Sequence, residues 1–197
     1  PLERIVSRFL DINKIKTSGV KLTVGCVNLN NSEYVVTDQD HSALKEFILA
    51  SSHLPLVFEP INLYNEKWVD GGIRHQIPIL EALRERPDEI DVVLTSPIAT
   101  RDRMLTATNL TSAPRVALRA SEIMSDQIYL MDCYTVLRAA RTLENVKINV
   151  YIPSVSPNQD SMDFHKEKIQ AGIKLGYEET LAKLMQKGEF DDGGLEF

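Results

Sequence analysis

A chain of 197 residues, 43% hydrophobic and 25% charged, has the composition of a folded soluble protein with room for one ordinary domain, which excludes collagen-like and disordered classes. A formal charge of -6 repels phosphate backbones and no basic stripe offsets it, so no nucleic-acid partner is expected. Two cysteines, Cys26 and Cys133, are too few and too far apart for a disulfide framework or a zinc site and read as core thiols of a reducing compartment.

Along the chain, Val20, Leu22, Val24 and Cys26 alternate and predict a strand over 20–28. Tyr34-Val35-Val36 returns across the polar Asn30-Asn31-Ser32 turn as a hairpin. The period then changes: Asp40 is the expected N-cap of a short helix carrying Leu44, Phe47 and Ile48 on one face, ended before Pro55. Two extended runs, Ile61-Asn62-Leu63 and Lys67-Trp68-Val69, flank Tyr64-Asn65-Glu66 and lead into Asp70-Gly71-Gly72.

Pro78 opens a helix to Arg86, and Ile90 to Leu94 reads as a strand buried on both faces, as in a parallel sheet. Residues 114–144 are helical by spacing, and at about eight turns the segment is long enough to allow a break near Ser125 or Asp126. Ile148, Val150 and Ile152 form another strand before a loop from Ser154 to Gln159. Two helices follow, Asp163–Lys174 and Glu178–Lys187, stopped by Gly188. Strands alternating with helices favour an α/β fold with a mainly parallel sheet flanked by helices. No run reaches the roughly 18 apolar residues of a membrane span, and no signal-peptide core opens the sequence, so no transmembrane segment and a cytoplasmic location are expected.

The usual catalytic signatures are missing. His41, His53, His75 and His165 form no metal-ligating pattern, no phosphate-cradling glycine motif occurs, and neither a metal nor a nucleotide cofactor is implied. Gly-x-Ser-x-Gly, the strained turn that exposes a nucleophilic serine, is also absent. What remains is Asp70-Gly71-Gly72 behind a short strand, preceded by Ala50-Ser51-Ser52-His53-Leu54-Pro55-Leu56-Val57-Phe58-Glu59-Pro60.

The stretch from Ile48 to Pro78 resembles the patatin-like phospholipase family, in which Ala-Ser-x-x-x-Pro-x-x-Phe-x-Pro leads through a short strand pair to Val-Asp-Gly-Gly or Val-Asp-Gly-Ala. The matching residues are Ala50, Ser51, Pro55, Phe58, Pro60, Val69, Asp70, Gly71, Gly72 and Pro78. The strand with Leu22, Val24 and Val27 and the run from Lys168-Ile169 to Gly176-Tyr177 are similar to that family's C-terminal half. The resemblance implies a serine lipid acyl hydrolase with a Ser-Asp dyad and no histidine, Asp70 being the base that takes the serine proton. Gly71 would permit a positive φ and Gly72 would clear the approach to the carboxylate.

In the family the nucleophile elbow and the oxyanion hole lie N-terminal to the matched region, and neither is in this sequence. The expectation is therefore an incomplete patatin-like domain, residues 1–188 forming its C-terminal portion and 189–197 a frayed tail. Such a chain is expected to be inactive alone, and its parent is expected to hydrolyse lipid esters. A portion cut from a sheet is expected to self-associate through its open edge or through segment 114–144. The alternative is a non-catalytic binding or regulatory module that keeps the fold.

The plainer readings stand beside these. Asp-Gly is often only a tight turn. Asp192-Gly193-Gly194 repeats the tripeptide in the expected tail. His75 could complete a histidine triad, although an isolated loop histidine is usually structural. Ser51 and Ser52 at a helix end read as capping residues, and Trp68 as either an acyl-pocket wall or core. Arg101-Asp102-Arg103 with Met104-Leu105 could meet an anionic headgroup and reads more plainly as a solvated loop.

Overall fold

A computed structural model of the chain describes residues 2–98, 111–155 and 165–185. The Arg101–Leu105 cluster and the Asp192-Gly193-Gly194 repeat, like the whole expected tail 189–197, lie outside the described residues. The chain divides into two compact units. The first takes the residues up to Pro78 with Ala113–Tyr129, and the second takes Ile79 onward with the residues from Leu130.

The first unit opens with two short helices, α1 (Leu2–Phe9) and α2 (Ile12–Thr17). Asp11 caps α2 by accepting the Lys14 N–H at 3.0 Å. Four strands follow around a third helix: β1 (Thr23–Asn28), β2 (Tyr34–Asp38), α3 (Leu44–Ala50), β3 (Ile61–Leu63) and β4 (Glu66–Asp70). The sheet order is β2-β1-β4-β3, and every neighbouring pair is antiparallel.

The main sheet is thus antiparallel, contrary to the expected mainly parallel one. Short connections dictate this, because neither hairpin has the crossover length a parallel neighbour needs. At the β3–β4 turn Tyr64 and Asn65 both hold φ near +60° (57° and 61°), the geometry of a two-residue hairpin whose twist matches its strands. Asn28 and Asn30 lock the other turn: Asn28 Oδ1 accepts the Asn30 N–H, and Asn30 Oδ1 accepts the Lys67 N–H of β4 at 2.8 Å.

One face of this sheet packs on α3. Cys26 and Trp68 join Ala43, Phe47 and Ala50 in a buried cluster, with the Phe47 and Trp68 rings edge to face at 5.0 Å. Helix α3 begins later than expected. Asp40 is not its cap; the cap position is Ala43, without a side-chain hydrogen bond. Asp38 and His41 instead make the preceding turn, Asp38 Oδ1 accepting the Asp40 N–H and His41 Nδ1 the Ala43 N–H.

The second unit contains α4 (Ile79–Arg84), β5 (Glu89–Val93), β6 (Lys147–Tyr151) and α6 (Lys166–Met185), with the last part of α5 (Ala113–Thr142). Strands β5 and β6 are parallel, Ile90 against Ile148 and Val92 against Val150. This two-stranded sheet is the parallel element among the described residues. It is not buried on both faces as expected. Ile90, Val92, Ile148 and Val150 are buried, while the alternate residues form a polar ladder on the other side. There Glu89 accepts from Lys147 Nζ at 2.7 Å and from Asn149 at 2.6 Å, and Asn149 also donates to Asp91 at 2.8 Å. A charged face of this kind satisfies itself in water.

Two helical segments are less interrupted than the sequence suggested. No break occurs at Ser125 or Asp126, and α5 is continuous over 30 residues. It contains no glycine, and its only proline, Pro114, sits in the first turn where a missing N–H costs nothing. The two expected C-terminal helices are a single α6 through Gly176. A glycine inside a helix costs about 1 kcal/mol, too little to break one fixed from outside. Glu179 accepts from the Ser154 N–H and hydroxyl, and Lys183 Nζ donates to the Val150 carbonyl at 2.8 Å. Among the described residues no helix is long and apolar enough to cross a membrane.

Candidate functional site

Asp70 is the last residue of β4 and the cap of the 3-10 turn Gly71–Ile73. It stands directly opposite Cys26 of β1, so the two side chains share the face that carries Trp68 and is covered by α3. The Asp70 N–H donates to the His53 carbonyl at 3.2 Å, tying the strand end to the segment that follows α3. Asp70 Oδ1 accepts the Gly72 N–H at 2.7 Å. The other carboxylate oxygen has no hydrogen bond among the described residues, so the group is oriented through one atom and open at the other.

Burial pushes the Asp70 carboxyl above its ordinary range, and the Gly72 hydrogen bond opposes this in part. A carboxylate raised by desolvation is a better proton acceptor than one in water. Its neighbour Cys26 is no nucleophile. Burial first, and the Asp70 charge second, push that thiol up to about 12, and its Sγ donates to the Phe47 carbonyl at 3.1 Å.

The two glycines serve by contact. Gly71 does not take the expected positive φ; among the described glycines only Gly19 does. A Cβ on Gly71 would lie 2.5 Å from the Gly25 carbonyl oxygen, so Gly71 is where the turn presses its backbone onto β1. A Cβ on Gly72 would lie 3.1 Å from Asp70 Oδ1, so the missing side chain keeps that side of the carboxylate clear. The turn is closed by the Arg74 and His75 N–H groups, both donating to the Gly71 carbonyl.

The secondary candidates take their plainer roles. Ser51 and Ser52 hydroxyls both donate to the Ile48 carbonyl, at 2.9 and 3.0 Å, closing the end of α3. Trp68 is 5% exposed and its indole N–H donates to the Leu63 carbonyl, so it is core. The His75 ring meets the Tyr34 ring edge-on at 4.9 Å. Cys133 is buried, as expected. Among the described residues no cluster of three metal-ligating side chains occurs. In the second unit a cleft of about 300 Å³ lies at the C-terminal ends of β5 and β6 against Glu179, Thr180 and Lys183, and holds none of the candidate residues.

Residues 4–83 match the family model described as patatin-like phospholipase. The chain carries a patatin-like segment. It includes Asp70, Gly71 and Gly72, the Ala50–Pro60 motif and both hairpins of the antiparallel sheet. No match is found among curated proteins. Within the patatin-like segment Tyr34, Gly25 and the His53 carbonyl, none of them a candidate from the sequence, together seat the Asp70 turn. One signal was available, since an isolated glycine inside an alternating strand, as Gly25 is, marks a close backbone approach.

Proposed function

We propose that this chain supplies the general base of a lipid acyl hydrolase that works with a Ser-Asp dyad. Asp70 is that base, and the serine lies outside the 197 residues. The observation that carries the reading is the Asp70 carboxylate itself, raised by burial, held at Oδ1 by Gly72 and open at its second oxygen. It stands within the matched family segment, at the end of the strand the motif requires.

In the first step the open Asp70 oxygen takes the proton of the serine hydroxyl while the serine oxygen bonds to the ester carbonyl carbon. The tetrahedral adduct then collapses, the ester C–O bond breaks, and Asp70 returns the proton to the leaving alcohol. Water then adds to the acyl-serine carbonyl while the same carboxylate takes its proton, and collapse breaks the acyl–serine bond, releases the fatty acid and returns the proton from Asp70 to the serine oxygen. A base without histidine needs a carboxyl whose proton affinity lies above the ordinary range, and burial provides it.

The test is fluorophosphonate labelling of the native gene product, with Asp70→Asn alongside. Label on a serine outside residues 1–197, slowed by the substitution, supports the reading. Absence of label on folded native protein overturns it and leaves a non-catalytic module.

Self-association belongs to the same reading. Among the described residues the β5–β6 sheet has only these two strands, and α5 exposes Ile123, Met124, Met131 and Tyr134. Sedimentation of the isolated chain at micromolar concentrations is expected to show dimers or larger species, and a monomer throughout rules this out.

A further inference from the structure

On the sheet face opposite α3, Tyr34 lies across from Val27 and reaches diagonally over Gly25. A Cβ on Gly25 would fall 2.2 Å from the Tyr34 hydroxyl oxygen and 2.7 Å from Cζ. The same ring lies 3.0 Å, at Cε2, from where a Gly71 Cβ would stand. Tyr34 therefore occupies the space that two glycines vacate, one in β1 and one immediately after Asp70. The His75 ring closes on it edge-first at 4.9 Å, and Arg74 Nη1 donates to the Ser32 carbonyl at 2.7 Å. The β1–β2 hairpin thus grips the turn after Asp70 at two points, the ring and the Ser32 carbonyl.

We propose that Tyr34 is a positioning residue for Asp70, its ring wedging the Asp70-Gly71-Gly72 turn against Gly25 and so fixing where the carboxylate points. The ring does not touch the carboxylate, which lies on the other face; it acts through the backbone of Gly71. The surface that meets Gly71 is the ring edge at Cε2. The inference deepens the reading of Asp70 as a base, but its test does not depend on turnover.

The test is carboxyl carbon NMR of Asp70 through a pH titration of the 197-residue chain, read together with the Gly72 amide proton. The variants are Tyr34→Phe, Tyr34→Leu and Gly25→Ala, the last displacing the ring without removing it. Tyr34→Phe is expected to leave both signals as in the parent chain. Tyr34→Leu and Gly25→Ala are expected to lower the Asp70 midpoint toward the ordinary carboxylate range, as water reaches a loosened turn, and to move the Gly72 amide toward its unbonded position. Unchanged signals in folded Tyr34→Leu and Gly25→Ala overturn the proposal. So does a Tyr34→Phe shift as large as the Tyr34→Leu one, which would assign the effect to the hydroxyl. If Tyr34→Leu does not fold, Gly25→Ala against Tyr34→Phe carries the comparison. A failed fluorophosphonate experiment would remove the catalytic reading and leave this titration result standing.

Discussion

Gly71 and Gly25 meet backbone to backbone, so closely that a single added methyl on Gly71 would sit 2.5 Å from the Gly25 carbonyl oxygen and 2.8 Å from its carbon. Neither obstacle is the flexible end of a side chain. Gly71→Ala must therefore push the turn off β1, at a cost of about 1–3 kcal/mol typical of overpacking. Gly176→Ala is the matched control, since nothing lies within 4 Å of its added methyl and the site is helical. That change is expected to stabilise by roughly 0.5–1 kcal/mol. Thermal melts of the two variants should move in opposite directions, and a Gly71→Ala chain that melts like the parent removes the close contact from the account.

Cys26 tests the burial of the Asp70 face from the other side. A thiol pushed up to about 12 holds almost no thiolate at pH 8, and its hydrogen is already given to the Phe47 carbonyl. A thiol reagent at pH 8 is expected to leave Cys26 unmodified in the native chain and to modify it promptly in denaturant, read by peptide mass. Rapid native labelling would place Cys26 in contact with solvent and remove the burial argument for Asp70 with it.

The Asp70-Gly71-Gly72 turn was legible from sequence because its signal was local: a strand, an Asp-Gly-Gly tripeptide and a spaced motif within thirty-one residues of each other, Ile48 to Pro78. The hairpins were legible for the same reason, the turn residues standing beside the alternating strands. What escaped was set by distant partners. Sheet direction depends on which strands pair, and the antiparallel match of Cys26 to Asp70 is invisible to periodicity. The alternation of Glu89, Asp91 and Val93 with Ile90 and Val92 was present in the sequence; the apolar run at its end drew the reading of a strand buried on both faces. Helix α6 persists through Gly176 because Glu179 and Lys183 are anchored on Ser154 and Val150, residues far away in sequence. Asp40 lost the cap of α3 to a competing turn built by Asp38 and His41, a choice among neighbouring polar side chains that composition does not rank.

Leu56 holds φ at +69° while 68% exposed, so it bears left-handed strain without the compensation of burial. A branched residue there costs roughly 1–2 kcal/mol against one that tolerates the region. Leu56→Asn keeps the conformation, gives up little buried surface and is expected to raise the melting temperature by about 2–4 °C for each kcal/mol recovered. A lower melting temperature would show that the leucine side chain packs in a way its exposure does not suggest.

Asp70 also sets a pH dependence whose sign differs from that of a salt-bridged carboxylate. Its native pKa lies above the ordinary value, because burial disfavours the charged form more than the Gly72 N–H favours it. As pH rises through the ordinary aspartate value of about 3.9, the unfolded chain releases a proton that the native chain still holds. Stability falls with pH across the window from there up to the raised native value, and above that window the loss is complete. Below the ordinary value both states are protonated and Asp70 contributes nothing. Asp70→Asn can keep the acceptor for the Gly72 N–H and removes the ionisation. The variant is therefore expected to gain on the parent chain as pH rises from 3 to 7, the gain appearing inside that window and then staying constant. Denaturant midpoints of both chains at pH 3, 5 and 7 measure it. An advantage for the parent at pH 7 that disappears at pH 3 would mean that the native state favours the carboxylate, and Asp70 would then lack the raised proton affinity on which the proposal of a base rests.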